Sequence, residues 1–137
     1  MTRTRGTLDP RCQLESTIQH NIRLDLGKEP DLVLFRLQPG GLSDATGRPI
    51  RTAPKGTADL CGILTLSVSG HKFGTWFCLE VKTARGRVRK EQEQWGRMVR
   101  RMGGFYAVVR SVEQARAALH AARRGAKTWT PTMRIAA

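Results

Sequence analysis

The stretch Thr75 to Thr83, Thr-Trp-Phe-Cys-Leu-Glu-Val-Lys-Thr, places an acid and a lysine inside a run otherwise suited to an interior strand. Side chains alternate along a strand, so Glu80 and Lys82 share one face with Trp76 and Cys78, while Phe77, Leu79 and Val81 share the other. Ionised groups removed from water need partners, and a partnered charge inside a sheet points to a functional site. A purely structural ion pair is the competing account.

A partner stands upstream. The apolar run Ala58 to Leu66 contains one acid, Asp59, and follows Lys55-Gly56-Thr57. The two runs are separated by Ser67 to Gly74, rich in turn formers, which predicts an antiparallel hairpin. If that loop closes symmetrically, Asp59 falls opposite Lys82 and diagonal to Glu80, on the same face. One divalent cation could then bridge the two carboxylates. A slip of one residue would send Asp59 to the other face.

The rest of the chain supplies layers for such a hairpin. Leu14, Ile18 and Ile22 recur every four residues and predict a helix over 11–26, capped by Gly27 and flanked by Glu15 and Gln19. Leu32 to Leu37 reads as a first strand. Gln38 to Thr57 is a long Gly- and Pro-rich loop carrying Arg48, Arg51 and Lys55, expected to line a substrate groove. After Lys82 comes a basic turn with Arg85, Arg87, Arg89 and Lys90. Trp95, Met98, Val99 and Met102 then predict a helix packed on the sheet, with Gln92 on its inward side. Its start is poorly capped, because Arg89 and Lys90 sit at the positive end of the dipole; a phosphate docked there would reverse that penalty, although Glu91 and Glu93 also compensate. Phe105 to Val109 is a further strand, with Tyr106 read as core. Ser111 to Gln114 is a capping box opening a last helix, with Val112, Ala115, Leu119 and Ala122 as its stripe. The order α-β-β-β-α-β-α describes an α/β fold with a mixed central sheet flanked by helices. Residues 1–10 read as a basic arm, 11–124 as one domain, and 125–137 as a tail, either disordered or reaching across a partner subunit.

The 137 residues carry 24 Lys and Arg against 11 Asp and Glu, a formal charge of +13. That imbalance favours a polyanionic partner, nucleic acid above all. Cys12, Cys61 and Cys78 are odd in number and lack C-x-x-C spacing, which argues against a disulfide scaffold or a zinc site. No apolar stretch reaches the length of a membrane span and no signal-type core follows the N-terminus, so a soluble, cytoplasmic protein is expected.

Gly56-x-x-Asp59, then a hydrophobic strand, a turn and Glu80-Val81-Lys82, resembles the active-site signature of the PD-(D/E)XK nucleases. Glu15, Gln19, Gly86, Gln92 and the stretch Gly103 to Ser111 resemble more narrowly the small stand-alone VRR-NUC domains. The resemblance implies a restriction-endonuclease-like core. It implies Asp59 and Glu80 as Mg²⁺ ligands, with Mn²⁺ substituting, and the backbone carbonyl of Val81 as a third ligand. It also implies Lys82 orienting or deprotonating water or holding the scissile phosphate, with Gln92 and Glu15 as helpers. The implied activity is structure-selective cleavage of branched or nicked DNA by a homodimer resembling Holliday junction resolvases, in replication, repair or packaging, in a phage or bacterial setting where a DNA-processing partner could take part. Lys55, Arg85, Arg87, Arg89 and Lys90 are the expected DNA contacts. The alternative is a non-catalytic nucleic-acid-binding domain that kept this fold.

Overall fold

The structure is a computed structural model and describes residues 14–37, 43–50 and 53–133. The N-terminal arm, Cys12, Arg51 and the last four residues lie outside the described residues. Helix α1 (Glu15–Leu26) leads to strand β1 (Leu32–Arg36), then β2 (Leu60–Val68) and β3 (His71–Val81). Helix α2 (Lys90–Arg101), strand β4 (Phe105–Val109) and helix α3 (Val112–Arg123) complete the chain. The expected α/β class and element order are both observed. The sheet order is β1-β2-β3-β4, with two antiparallel pairings and a parallel one between β3 and β4. Among the described residues no helix is long and apolar enough to cross a membrane.

Alternation along the strands sorts the core into two layers. Ile18, Ile22 and Leu26 of α1 and Ala115, Ala118, Leu119 and Ala122 of α3 pack with Leu60, Leu79, Val81 and Val109. On the other face Val99 of α2 meets Ala58, Cys61, Cys78 and Tyr106. The α2 stripe is the expected one in part: Val99 is buried and Trp95 packs against this layer, but Gly96 is the second buried position and Met102 is 75 % exposed. The reason is Gly96, where a Cβ would strike the ring of Tyr106, so the helix rests directly on that ring and turns its methionines outward. Arg116 and Arg123 tie α3 to the last turn of α1 and the segment after it through ion pairs with Asp25, Glu29 and Asp31.

The hairpin closes differently from the sequence expectation. The strands continue through Ser67–Gly74 and turn at Ser69-Gly70 alone, where φ is 50° at Ser69 and 80° at Gly70. Two left-handed central residues make the type I′ turn whose twist matches that of paired strands. This fixes the register Leu60↔Leu79 and Val68↔His71. Continued by one pair, it sets Asp59 across from Glu80 rather than Lys82. The shift is two residues, so the face is unchanged.

The segment after α3 returns along the sheet: Tyr106 N donates to the carbonyl of Lys127 at 3.0 Å, and Trp129 packs against the α1/α3 core. Lys127 thus lies beside β4, and Trp129 is seated on this chain's own core.

Candidate functional site

The site forms where β3 leaves the sheet. Glu80 is 1 % exposed and Lys82 7 % exposed, on the α2 face. Asp59, just before β2, accepts a hydrogen bond on Oδ2 from Val81 N at 2.8 Å. That amide faces β2, whereas Lys82 N faces β4 and donates to the carbonyl of Val109 at 3.0 Å. In extended backbone the carbonyl of a residue points to the same side as its amide. The Val81 carbonyl is therefore directed toward the Asp59 side.

Glu80 Oε1 accepts from Gln92 Nε2 at 2.7 Å and lies 3.5 Å from Lys82 Nζ. Glu80 Oε2 is buried and has no donor among the described residues. The adjacent Asp59 carboxyl can pair with it only if one of the two acids holds a proton. Burial and then the charge of Asp59 push the Glu80 carboxyl up to about 9, against the opposing pull of Lys82. Burial raises Asp59 as well, opposed first by the Val81 amide. Two carboxyls crowded together out of water cannot both ionise unless further positive charge is supplied.

Glu15, at the first turn of α1, is half-buried; burial and then Asp59 raise its carboxyl, while Lys82 and Arg89 oppose the shift. The start of α1 thus stands within electrostatic reach of the pair. Gln19, expected at the edge of the apolar stripe, is instead buried, and its Oε1 has no partner among the described residues.

Gln92 does two things. Its Oε1 accepts from Arg89 N at 2.8 Å, so the side chain supplies the cap that residues 89 and 90 lack, while its Nε2 holds Glu80. The helix start and the acid are locked together. The preceding loop is pressed onto the same helix end: Gly56 has φ 88°, and a Cβ there would collide with the Glu91 carbonyl. Here glycine serves both the left-handed backbone and the close approach. A cavity of about 170 Å³ opens at this junction, lined by Lys55, Thr57, Asp59, Arg89, Glu91 and Gln92.

Among the expected DNA contacts, Lys55 is paired with Glu91 at 3.3 Å. Arg85, Arg87 and Arg89 are exposed between β3 and α2, and Lys90 is exposed at the first position of α2. Sequence reasoning places Tyr106 in the core but does not reach its consequence. Its ring is buried, its hydroxyl has no partner among the described residues, and burial followed by the charges of Glu80 and Asp59 raises its pKa. Nothing in a Gly-Gly-Phe-Tyr run signals that neighbourhood; only the parallel pairing Cys78↔Tyr106 creates it.

Among the described residues no three His, Cys, Asp or Glu side chains converge as a metal cluster. A hard cation can be held by fewer protein groups, since Mg²⁺ commonly uses one or two carboxylates and keeps several waters. Asp59, Glu80 and the Val81 carbonyl meet that requirement, and the donorless Glu80 Oε2 fits a cation better than it fits a finished ion pair. Comparison with protein-family models, characterised proteins and solved structures finds no match.

Proposed function

We propose that this chain is a divalent-cation-dependent, structure-selective DNA endonuclease of the VRR-NUC type. The observation carrying this reading is the Asp59–Glu80 pair: two carboxyls with raised pKa values, beside a buried lysine, at a strand end bordered by Arg85, Arg87, Arg89 and Lys90. A purely structural site has no use for two acids that must share a proton, and a site evolved only to grip phosphate gains nothing from acids that repel it.

In this reading Asp59, Glu80 and the Val81 carbonyl hold Mg²⁺, or Mn²⁺ in its place. When bound, the cation lowers the pKa of a water and offsets charge building on the phosphate. Gln92 fixes the Glu80 rotamer, so one carboxylate oxygen stays committed and the other faces the site. Lys82, 3.5 Å from Glu80, orients the attacking water or holds the scissile phosphate, and the water's proton passes to solvent. The water oxygen bonds to phosphorus as the bond to the leaving oxygen breaks, and that oxygen takes a proton from solvent. Glu15 serves as an outer acid that steadies water. The basic turn positions the backbone without reading sequence, since phosphate contacts carry no base information.

The test is cleavage of supercoiled, nicked and branched DNA with Mg²⁺ or Mn²⁺. Asp59→Asn, Glu80→Gln and Lys82→Ala should each lower the rate by about 100-fold or more while leaving DNA binding intact. A wild-type protein that binds DNA and never cuts, with substitutions that only tighten binding, favours a non-catalytic binding domain instead. Sedimentation of the free and DNA-bound protein tests the homodimer, and fractionation of cells expressing the chain tests the cytoplasmic setting.

A further inference from the structure

A second cavity, of about 390 Å³, lies on the neighbouring strand from Glu80. Its floor includes Val108, which pairs with Glu80 across the parallel β3–β4 ladder, and Tyr106, which pairs with Cys78. Paired strands stand about 4.8 Å apart, so the cavity adjoins the proposed cleavage site. Arg97 and Arg100 of α2 line one side, and Thr128 and Trp129 of the returning segment line the other.

Two features give this cavity a chemistry. Its charge is cationic, since Arg97, Arg100 and Arg110 face a single acid, Glu93. Arg97 and Arg100 enter no ion pair among the described residues. Arg110 is held in place, donating from Nη1 to the carbonyls of Thr83 at 2.6 Å and Gly86 at 2.7 Å, which leaves guanidinium donors on its other nitrogens. The wall also contains Tyr106, only 5 % exposed, whose hydroxyl has no hydrogen-bond partner among the described residues. That hydroxyl is closed to solvent, so Tyr106 gives the cavity a wall and not a hydrogen-bonding group. Finally, Trp129 gives an aromatic surface among these polar groups, the combination that accepts a stacked base beside its phosphate.

We infer that this cavity receives one unpaired deoxynucleotide of the substrate strand, with the base against Trp129 and the phosphate on Arg97 and Arg100. The inference rests on the nuclease reading and names its substrate class: DNA carrying an unpaired nucleotide next to the scissile phosphate. A base stacked and paired in a duplex cannot enter a concave pocket without being extruded, so an already unpaired nucleotide is favoured. Arg110, anchored to the turn that follows Lys82, links the cavity to the strand end that carries the acids.

The test uses the full chain and two nicked duplexes, identical except that one has a single unpaired 2-aminopurine deoxynucleotide at the nick. Wild-type protein should bind the unpaired form at least about tenfold tighter, with the probe's fluorescence quenched by stacking. Arg97→Ala combined with Arg100→Ala should remove that preference while retaining affinity for the paired duplex. Trp129→Leu should remove the quenching. Melting curves verify that each variant is folded, and Arg100→Gln alone serves if the double substitution is not. An unchanged preference in a folded arginine variant overturns the inference. So does deoxynucleoside monophosphate that occupies the cavity and competes equally with both duplexes, which makes it a site for a free nucleotide. Cleavage that treats both duplexes alike sinks this inference and leaves the nuclease reading standing. Arginine-dependent preference without any cutting supports the cavity and sinks the nuclease reading.

Discussion

Replacing Glu80 by glutamine should change the pH dependence of stability. The Glu80 carboxyl has a folded pKa of about 9 against an ordinary value of 4.5. Between these values the folded chain keeps a proton that the unfolded chain releases. The contribution of this group is thus fully present below the ordinary value and is lost as pH rises toward 9, and Asp59, also raised, acts in the same direction. One proton of difference lowers stability by about 1.4 kcal/mol per pH unit, so the ceiling from about pH 5 to about pH 8 is about 4 kcal/mol. Even a third of that ceiling corresponds to a drop in melting temperature of roughly 5 °C for a domain of this size. Glutamine imitates the protonated acid: its oxygen still accepts from Gln92, and its amide can donate to Asp59. Glu80→Gln should therefore melt with a much flatter pH profile and be the more stable protein at about pH 8. Mg²⁺ or Mn²⁺ should stabilise wild type more at high pH than at low pH, by about 2.7 kcal/mol at a hundredfold excess over Kd, and should barely affect the variant. Parallel pH profiles for the two proteins, with no cation effect on either, would refute the shared-proton account.

Other outcomes follow from the same geometry. Gly56→Ala meets both the left-handed backbone and the Glu91 carbonyl, and should cost about 1–3 kcal/mol in urea unfolding. Gln92→Ala removes the Arg89 cap and frees Glu80; a loss of about 1–2 kcal/mol is expected in the same assay, together with slower cleavage. Arg123→Ala breaks exposed pairs to Glu29 and Asp31, so its melting temperature should fall at low salt and approach wild type at high salt. Arg89→Ala should reduce the log-log salt slope of duplex binding by about 0.9, the share of one neutralised phosphate.

Much of this is legible in the chain itself. The two-residue alternation across Trp76 to Lys82 places Glu80 and Lys82 on one face, and that partition is observed. The capping sequence at Ser111 predicts the start of α3, where Ser111 Oγ accepts from Gln114 N at 3.1 Å. The hairpin register is less legible because Ser67–Gly74 holds several turn formers, and sequence alone does not say which pair turns. Only the backbone of Ser69-Gly70 does, and it sets Asp59 opposite Glu80 instead of Lys82. Part of the α2 stripe escapes periodicity for a related reason. Periodicity weighs large apolar residues, whereas the contact with Tyr106 is made through a glycine.

Local chemistry therefore determined which side chains exist on each face, since pleat and helix period are properties of a few consecutive residues. Tertiary structure decided which faces meet. The parallel β3–β4 ladder brings Tyr106 beside the acids, and the return of the chain past β4 at Lys127 brings Thr128 to Pro131 into the cavity wall. Contacts between residues far apart in the chain depend on how layers close over one another, and no short-range pattern encodes that.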